Sequence, residues 1–392
     1  MAGPGITLVN ARLGGGNITS VRVVGSRIAG VGAKPRRDDA IVDLAGDRVL
    51  PGLINAHDHL QLNSLPQPEL GKRYRHVREW IREIGERQNS DPAFQAGVAI
   101  ARDQRLLIGG VKNLLSGVTT VAHHDPLYRY LSSPEFPTRV VQHYGWSHSL
   151  DISGEQQVRH SYRQTPLEWP WMIHAAEGLD DAAGNEFGRL DALGCLGPNT
   201  LLVHGVALDR AQRARLEQSA AGLIWCPTSN RNLFGRTADV ADLLARGRVA
   251  LGTDSRLSGA RDLLDEISIA GEIGGLDGRS LERLVTHDSA RLLRLPDRGE
   301  LRADARADIL ILPARTGLAE ARRADVRLVL IDGVVRYGDR DCAQRVAPAS
   351  RWAEVRVDGR AKILDRHIAA LLARSDAQEV GLELPTMSRS AA

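Results

Sequence analysis

His57 and His59 stand two residues apart where an apolar run gives way to polar sequence, in the stretch VLPGLINAHDHLQLN (49–63). In an extended strand alternate side chains share a face, so both imidazoles point the same way at the strand's end. Neutral imidazole is a ligand for Zn²⁺, Fe²⁺ and similar ions, and two on one face make a paired grip for a divalent metal.

PGLINAHDH resembles the metal-binding first strand of the amidohydrolase superfamily, which commonly reads PGLxxxHxH. Three more groups that this family places at later strand ends follow in order. They are MIHAAE (172–177), similar to the family's HxxE strand, LLVHG (201–205), and ALGTDS (250–255). Between the last two lies WCPTSN (225–230), close to the CPxSN signature of the deaminase branch, which includes cytosine and guanine deaminases and triazine or chlorohydrolase-like enzymes. The likeness runs from about Ile6 to Tyr337.

The resemblance implies His57, His59, His174 and Asp254 as metal ligands. Three nitrogens, one carboxylate oxygen and a water would complete an open catalytic site around one divalent ion, Zn²⁺ before Fe²⁺. Glu177 is then the proton shuttle and Asp254 a second acceptor of the water's proton. His204 is the group that hydrogen-bonds the nucleophile or the developing oxyanion. Family members with two metals bridge them with a carboxylated lysine from a middle strand. Here the only lysines are Lys34, Lys72, Lys112 and Lys362, and none ends a strand between 138 and 176, which favours a single ion. The implied reaction is hydrolytic deamination of a planar N-heterocycle, with water replacing the amino group of a ring amidine and ammonia leaving. An amide, cyclic-amide or chloro-ring hydrolase on the same site is the alternative, and a non-catalytic scaffold a more distant one.

Substrate contacts are sought near these ends. Gln61 and Asn63 follow the HDH; His124, Asp125, His143, Trp146 and His148 lie near the second and third strand ends; Ser229 and Asn230 belong to the CPTSN stretch. Trp146 suits stacking on a planar ring and core packing equally.

The elements that must hold these residues alternate. Strand-like runs at 49–57, 118–124, 138–146, 171–176, 200–206, 222–226 and 248–254 are separated by helical stretches at 77–87, 93–116, 208–221, 237–247, 261–273 and 279–293. Such alternation predicts an α/β fold with a parallel sheet, here a (β/α)₈ TIM-type barrel with its active site at the C-terminal strand ends. Seven strands are counted, so either an eighth lies near Asp151–Ser153 or the barrel is abridged there. Short β-branched segments bounded by Gly and Asp recur before residue 50 and between 307 and 339, with Asp332-Gly333 as a hairpin signal. They predict a composite β-sandwich from 1–50 and 296–345 around a barrel at 51–295, the sandwich being implied by the resemblance as well. Residues 346–392 read as an apolar helical stripe through Ile363, Leu364, Ile368, Leu371 and Leu372, then a frayed tail.

The composition is that of an ordinary globular enzyme, with 43% hydrophobic and 25% charged residues and a net charge of +3 over 392 residues. No run of Lys and Arg suggests nucleic acid or a membrane surface, and no stretch reaches membrane-spanning length. Three cysteines without framework spacing, Cys195, Cys226 and Cys342, and an N-terminus unlike a signal peptide predict a soluble cytoplasmic protein. A homodimer is expected by analogy only.

Overall fold

The computed structural model describes residues 5–14, 16–69 and 71–385. Two parallel sheets carry the residues singled out above. One has five strands in the order Val249–Leu251, Gly222–Trp225, Thr200–His204, Trp171–Ala175 and Gly145–Ser147. The other has three, Leu53–Asp58, Val118–His123 and Arg139–Val140. Every residue of VTTVAH, WMIHA, TLLVH and GLIW is buried, as expected of parallel strands covered on both faces. Helices such as Arg102–Leu115, Asp181–Ala192, Arg210–Gln218 and Leu263–Gly274 alternate with them. The architecture is α/β with parallel sheets. Pairing in one direction brings the C-terminal strand ends to one side, with His57, His174 and His204 on it.

The two sheets meet at the Asp254 turn, where the Asp254 N–H donates to the His57 carbonyl at 3.1 Å. Gly252 makes this approach feasible, because a Cβ there would lie 2.6 Å from the His57 Cβ.

The run 49–57 is not one strand. Arg48–Pro51 pairs antiparallel with Ile309–Leu312, and Leu53–Asp58 starts the three-stranded parallel sheet. Pro51 lacks an N–H and Gly52 packs where a Cβ would strike the Thr119 side chain, so the chain changes sheets at this pair. The run 138–146 also divides. Arg139–Val140 follows Val118–His123, whereas Gly145–Ser147 pairs with Trp171–Ala175. The described residues thus contain eight parallel strand segments, the third and fourth joined by four residues without a helix. Asp151–Ser153 is not a strand but part of the helix Leu150–Ser153, whose first turn is capped by the Ser149 hydroxyl on the Ile152 N–H.

Eleven strands from both ends of the chain form a third, mixed sheet. Its seam is the Arg48–Pro51 and Ile309–Leu312 pair, with Val49 opposite Ile311. The helical stripe expected after 346 is corrected: Trp352–Val357 and Arg360–Asp365 form an antiparallel hairpin in this sheet, and only Arg366–Ala373 is helical. Asp358 and Gly359 both have positive φ, 49° and 78°, the turn that an Asp-Gly pair favours in a two-residue hairpin. The sequence end called frayed, PTMSRSAA, lies outside the described residues from 386 onward. Among the described residues no helix is long and apolar enough to cross a membrane, and Cys195, Cys226 and Cys342 are buried free thiols.

Candidate metal centre and its acid–base pair

Three strand ends deliver the four donors, His57 and His59 sharing one. The His174 Nε2 lies 3.3 Å from His59 Nε2 and 3.4 Å from His57 Nε2. Asp254 Oδ1 lies 3.7 Å from His57 Nε2 and 3.8 Å from His59 Nε2. All four residues are buried. Such spacings suit donors each about 2.0–2.2 Å from one shared ion.

The outer nitrogens explain why the inner ones are free. His174 Nδ1 donates to the His148 carbonyl at 2.8 Å, and His59 Nδ1 donates to Asp125 Oδ2 at 2.9 Å. His124 Nε2 faces the Ser147 carbonyl at 3.0 Å and must donate to it, which leaves its Nδ1 to accept from His57 Nδ1 at 3.2 Å. Each outer bond fixes the ring's orientation and turns Nε2 inward, the arrangement that orients metal-ligating imidazoles. The set of three nitrogens and a carboxylate therefore fits one divalent ion.

Electrostatics divide the four. Burial pushes His57 down to about 4, and His174 far below the ordinary range. Burial also opposes the charge on His59, but the Asp125 hydrogen bond and charge override it and raise this imidazole to about 9. Burial alone would raise Asp254, yet the His57 hydrogen bond and the nearby imidazoles hold it well below the usual carboxylate range. His59 accordingly keeps a proton that an arriving cation must displace.

Glu177 faces this set from the loop after His174. Burial, then the Asp254 and Glu186 charges, push its carboxyl well above the ordinary value. Its Oε1 is 3.5 Å from His204 Nε2, and His204 Nδ1 donates to Asn230 Oδ1 at 2.9 Å. A carboxyl that burial biases toward its acid form thus faces an imidazole nitrogen that the Asn230 bond leaves as an acceptor. Ala176, His204 and Asp254 all sit at positive φ, 53°, 75° and 55°. Non-glycine residues rarely hold this conformation, and here it occurs at three functional strand ends. The Ala176 turn is secured by its N–H donating to the buried Glu186 Oε2 at 2.7 Å.

A cavity of about 210 Å³ opens onto these groups. His59, His174, Glu177, His204 and Asp254 form its floor, and Val77, Trp80, Ile81, Ile84, Leu233 and Leu257 its apolar wall. Among the described residues, no Lys or Arg lines it.

The amidohydrolase family model matches residues 168–336, which hold the strands of His174, His204 and Asp254 and the CPTSN helix. A 5-methylthioadenosine/S-adenosylhomocysteine deaminase of Haloquadratum walsbyi is 26% identical over 86% of this chain and 90% of its own. The matched region carries this chain's likeness to the amidohydrolase family. An 8-oxoguanine deaminase of Pseudomonas aeruginosa is 33% identical over 57% of this chain and 50% of its own length. Among solved structures, the atrazine chlorohydrolase of Arthrobacter aurescens complexed with zinc superposes with a TM-score of 0.69, covering 84% of this chain and 94% of that one at 17% identity, a likeness of fold.

Several residues expected at the substrate do other work. Asn63 does not line the cavity: it is buried between Asp58 and Lys112, with Nδ2 on Asp58 Oδ1 at 2.8 Å. Ser229 lies in the helix Pro227–Phe234 and donates to Asp254 Oδ2 at 2.8 Å, and Asn230 holds His204. Their hydrogen bonds orient site residues from behind. His124 buttresses His57 and packs edge-on against Trp146 with ring centres 5.7 Å apart, and neither lines the cavity. His143 stacks on Trp169, away from the site. Gln61 does line the cavity; its Nε2 donates to Asp125 at 2.8 Å and its buried Oε1 has no protein partner among the described residues. The same holds for His148 Nδ1. Sequence reasoning gave no role to Asp58 or Lys112 and none to Glu186, because lone charged residues in apolar helices and strands carry no spacing that marks them.

Proposed function

We propose that this protein is a hydrolytic deaminase of a small, uncharged, planar N-heterocycle, with His57, His59, His174 and Asp254 holding one divalent ion, zinc in preference to iron. The observation that carries the reading is the buried Glu177 carboxyl beside the donor set, 3.5 Å from His204 Nε2 and raised by burial toward its acid form. A ring amidine resists attack by water until a ring nitrogen is protonated, and a neutral carboxylic acid at the cavity floor is the group for that. The deaminase names of the relatives, on adenosine derivatives and on 8-oxoguanine, support the same substrate class.

When bound, the ion supplies a Lewis acid that lowers the pKa of water in an open coordination position. Glu177 Oε1–H gives its proton to the ring nitrogen, the carboxylate then accepts one from the attacking water and passes it to the departing amine, and on collapse the hydroxyl proton returns to Glu177 as the carbonyl forms. His204 Nε2, fixed as an acceptor by Asn230, takes a hydrogen bond from the new hydroxyl. Asp254 Oδ2 is held by the Ser229 and Ser258 hydroxyls, at 2.8 and 2.9 Å, which leaves Oδ1 toward the imidazoles. The balance is one amidine and one water in, one ring carbonyl and one ammonia out. The apolar wall and the absence of Lys or Arg among the described lining residues suit a neutral ring and not a phosphate or carboxylate ester.

We also infer that the two parallel sheets are arcs of one abridged (β/α)₈ barrel at 51–295, which the Asp254 to His57 backbone bond supports. The terminal segments 1–50 and 296–345 would form the composite sandwich, extended by the hairpin after 346. Three buried unpaired thiols favour the reducing cytoplasm.

The test is ammonia release from a panel of aminopurines, aminopyrimidines and aminotriazines by zinc-loaded protein. Ammonia with an intact ring supports the reading; ring opening or halide release instead would move it to amide or chloro-ring hydrolysis. Glu177→Gln should keep its zinc and lose about 10²–10⁴-fold in turnover. An unimpaired Glu177→Gln would remove the proton-transfer role.

A further inference from the structure

Beneath the donor set lies a second charged cluster that the reaction above does not use. Asp58 stands between the two ligand histidines, and alternation along Leu53–Asp58 turns its side chain away from them. There it meets Lys112 of the helix Arg102–Leu115, with Nζ 3.1 Å from Asp58 Oδ2 and both side chains at 0% exposure. The ammonium also donates to Asn63 Oδ1 at 2.8 Å and Thr253 Oγ1 at 3.1 Å, so its three protons are all placed. Asp58 takes further hydrogen bonds from Asn113 Nδ2 and Asn63 Nδ2, each at 2.8 Å.

Every branch of this network returns to a donor-bearing backbone. Thr253 Oγ1 donates to the Asp254 carbonyl at 3.0 Å, and Asn63 Oδ1 accepts the Arg256 N–H at 3.2 Å. Asn55 Oδ1 accepts the Thr253 N–H at 3.2 Å, and Asn55 Nδ2 donates to Thr253 Oγ1 at 2.9 Å. The left-handed conformation of Asp254 persists only if its surroundings impose it, and these bonds enclose it from both sides. Stability alone does not call for a buried ion pair here, since well-packed apolar groups of like volume often do as well or better. A neutral pair, however, cannot bridge three acceptors from one atom.

We propose that Lys112 is a positioning residue for the metal centre: through Asp58, Asn63 and Thr253 its ammonium locks the His57–His59 strand to the Asp254 turn and thereby sets the affinity for the divalent ion. This rests on the four-donor reading of the site and not on deamination.

The experiment measures zinc affinity by competition with a chromophoric chelator, alongside the melting temperature of the zinc-free protein. Thr253→Val deletes only the hydroxyl that links Lys112 to Asp254 and keeps the side chain's shape. It should weaken zinc binding about ten-fold or more, as loss of groups that orient ligands does, with little change in zinc-free melting. Asp58→Asn/Lys112→Met removes both charges together and should still fold while losing about 10–100-fold in zinc affinity. Parental zinc affinity in Thr253→Val overturns the proposal, whether or not the double variant folds. A parent protein that takes up no zinc sinks the four-donor reading and the proposal with it, whereas zinc uptake by the parent with no effect of Thr253→Val sinks the proposal alone.

Discussion

Two buried polar clusters lie back to back in this molecule, on opposite faces of the same strand. In the lower one, around Asp58 and Lys112, the ammonium's protons and both carboxylate oxygens have partners, and nothing opens to solvent. In the upper one, three imidazole nitrogens and a carboxylate oxygen converge at 3.3–3.8 Å and face a common point. Buried polar groups normally find partners, and those that lack them mark a ligand or a strained functional site. The lower cluster is organised for itself, the upper one for something that enters. Side-chain alternation along six residues keeps the two apart: His57 and His59 face up, Asp58 faces down.

The sharpest way to break the contrast is to remove one member from each. His174→Ala should abolish zinc retention and turnover, yet cost the zinc-free protein little, because a member of a mutually repelling set is lost. Lys112→Ala should instead cost about 3–5 kcal/mol in denaturant unfolding of the zinc-free protein, since it strands a buried carboxylate. Equal stability losses in the two variants would erase the distinction. A smaller effect is expected from Asp125→Asn, which weakens the acceptor that orients His59 Nδ1–H. Zinc affinity should fall about 10–100-fold, read by the same chelator competition. Its pH dependence should change too. With His59 raised to about 9 in the zinc-free site, zinc uptake by the parent must displace a proton and weakens as pH falls below that value, and in Asp125→Asn this dependence should move to lower pH.

The smallest effect concerns a third buried group, Glu266. Its Oε1 accepts the Thr228 N–H at 2.9 Å, its Oε2 lacks a protein partner among the described residues, and burial raises the carboxyl to about 8 from an ordinary 4.5. Unfolded chains ionise this group first, so its contribution to stability is fully present below about 4.5 and declines as pH rises toward about 8. Glu266→Gln should flatten that decline in stability measured from pH 5 to 8. An unchanged pH profile would show that Glu266 is not the group responsible.

The donor residues were legible from the sequence because their signals are local. The HxH spacing follows from the two-residue period of a strand, the MIHAAE and GTDS endings follow apolar strands, and alternating elements imply parallel sheets. Some signals were present but outweighed: Asp358-Gly359 marks a hairpin, yet the apolar spacing from Ile363 to Leu372 reads as one long helix.

What the sequence by itself determined, then, was the identity and order of the groups that meet at the strand ends, since these depend on residues a few positions apart. Tertiary structure decided how each group is held. It set which nitrogen of each histidine points inward, through Asp125, Ser147, His148 and Asn230, residues between 23 and 66 positions distant in all four contacts. It split 138–146 between two sheets, put Asn63 below the site instead of in it, and joined Arg256 after the Asp254 turn to the buried Glu379, 123 residues away, at 2.6 and 2.9 Å. Lys112 and Asp58 belong to this second class. A buried charge is stabilised by partners that only the folded chain assembles, so no spacing along the sequence announces it.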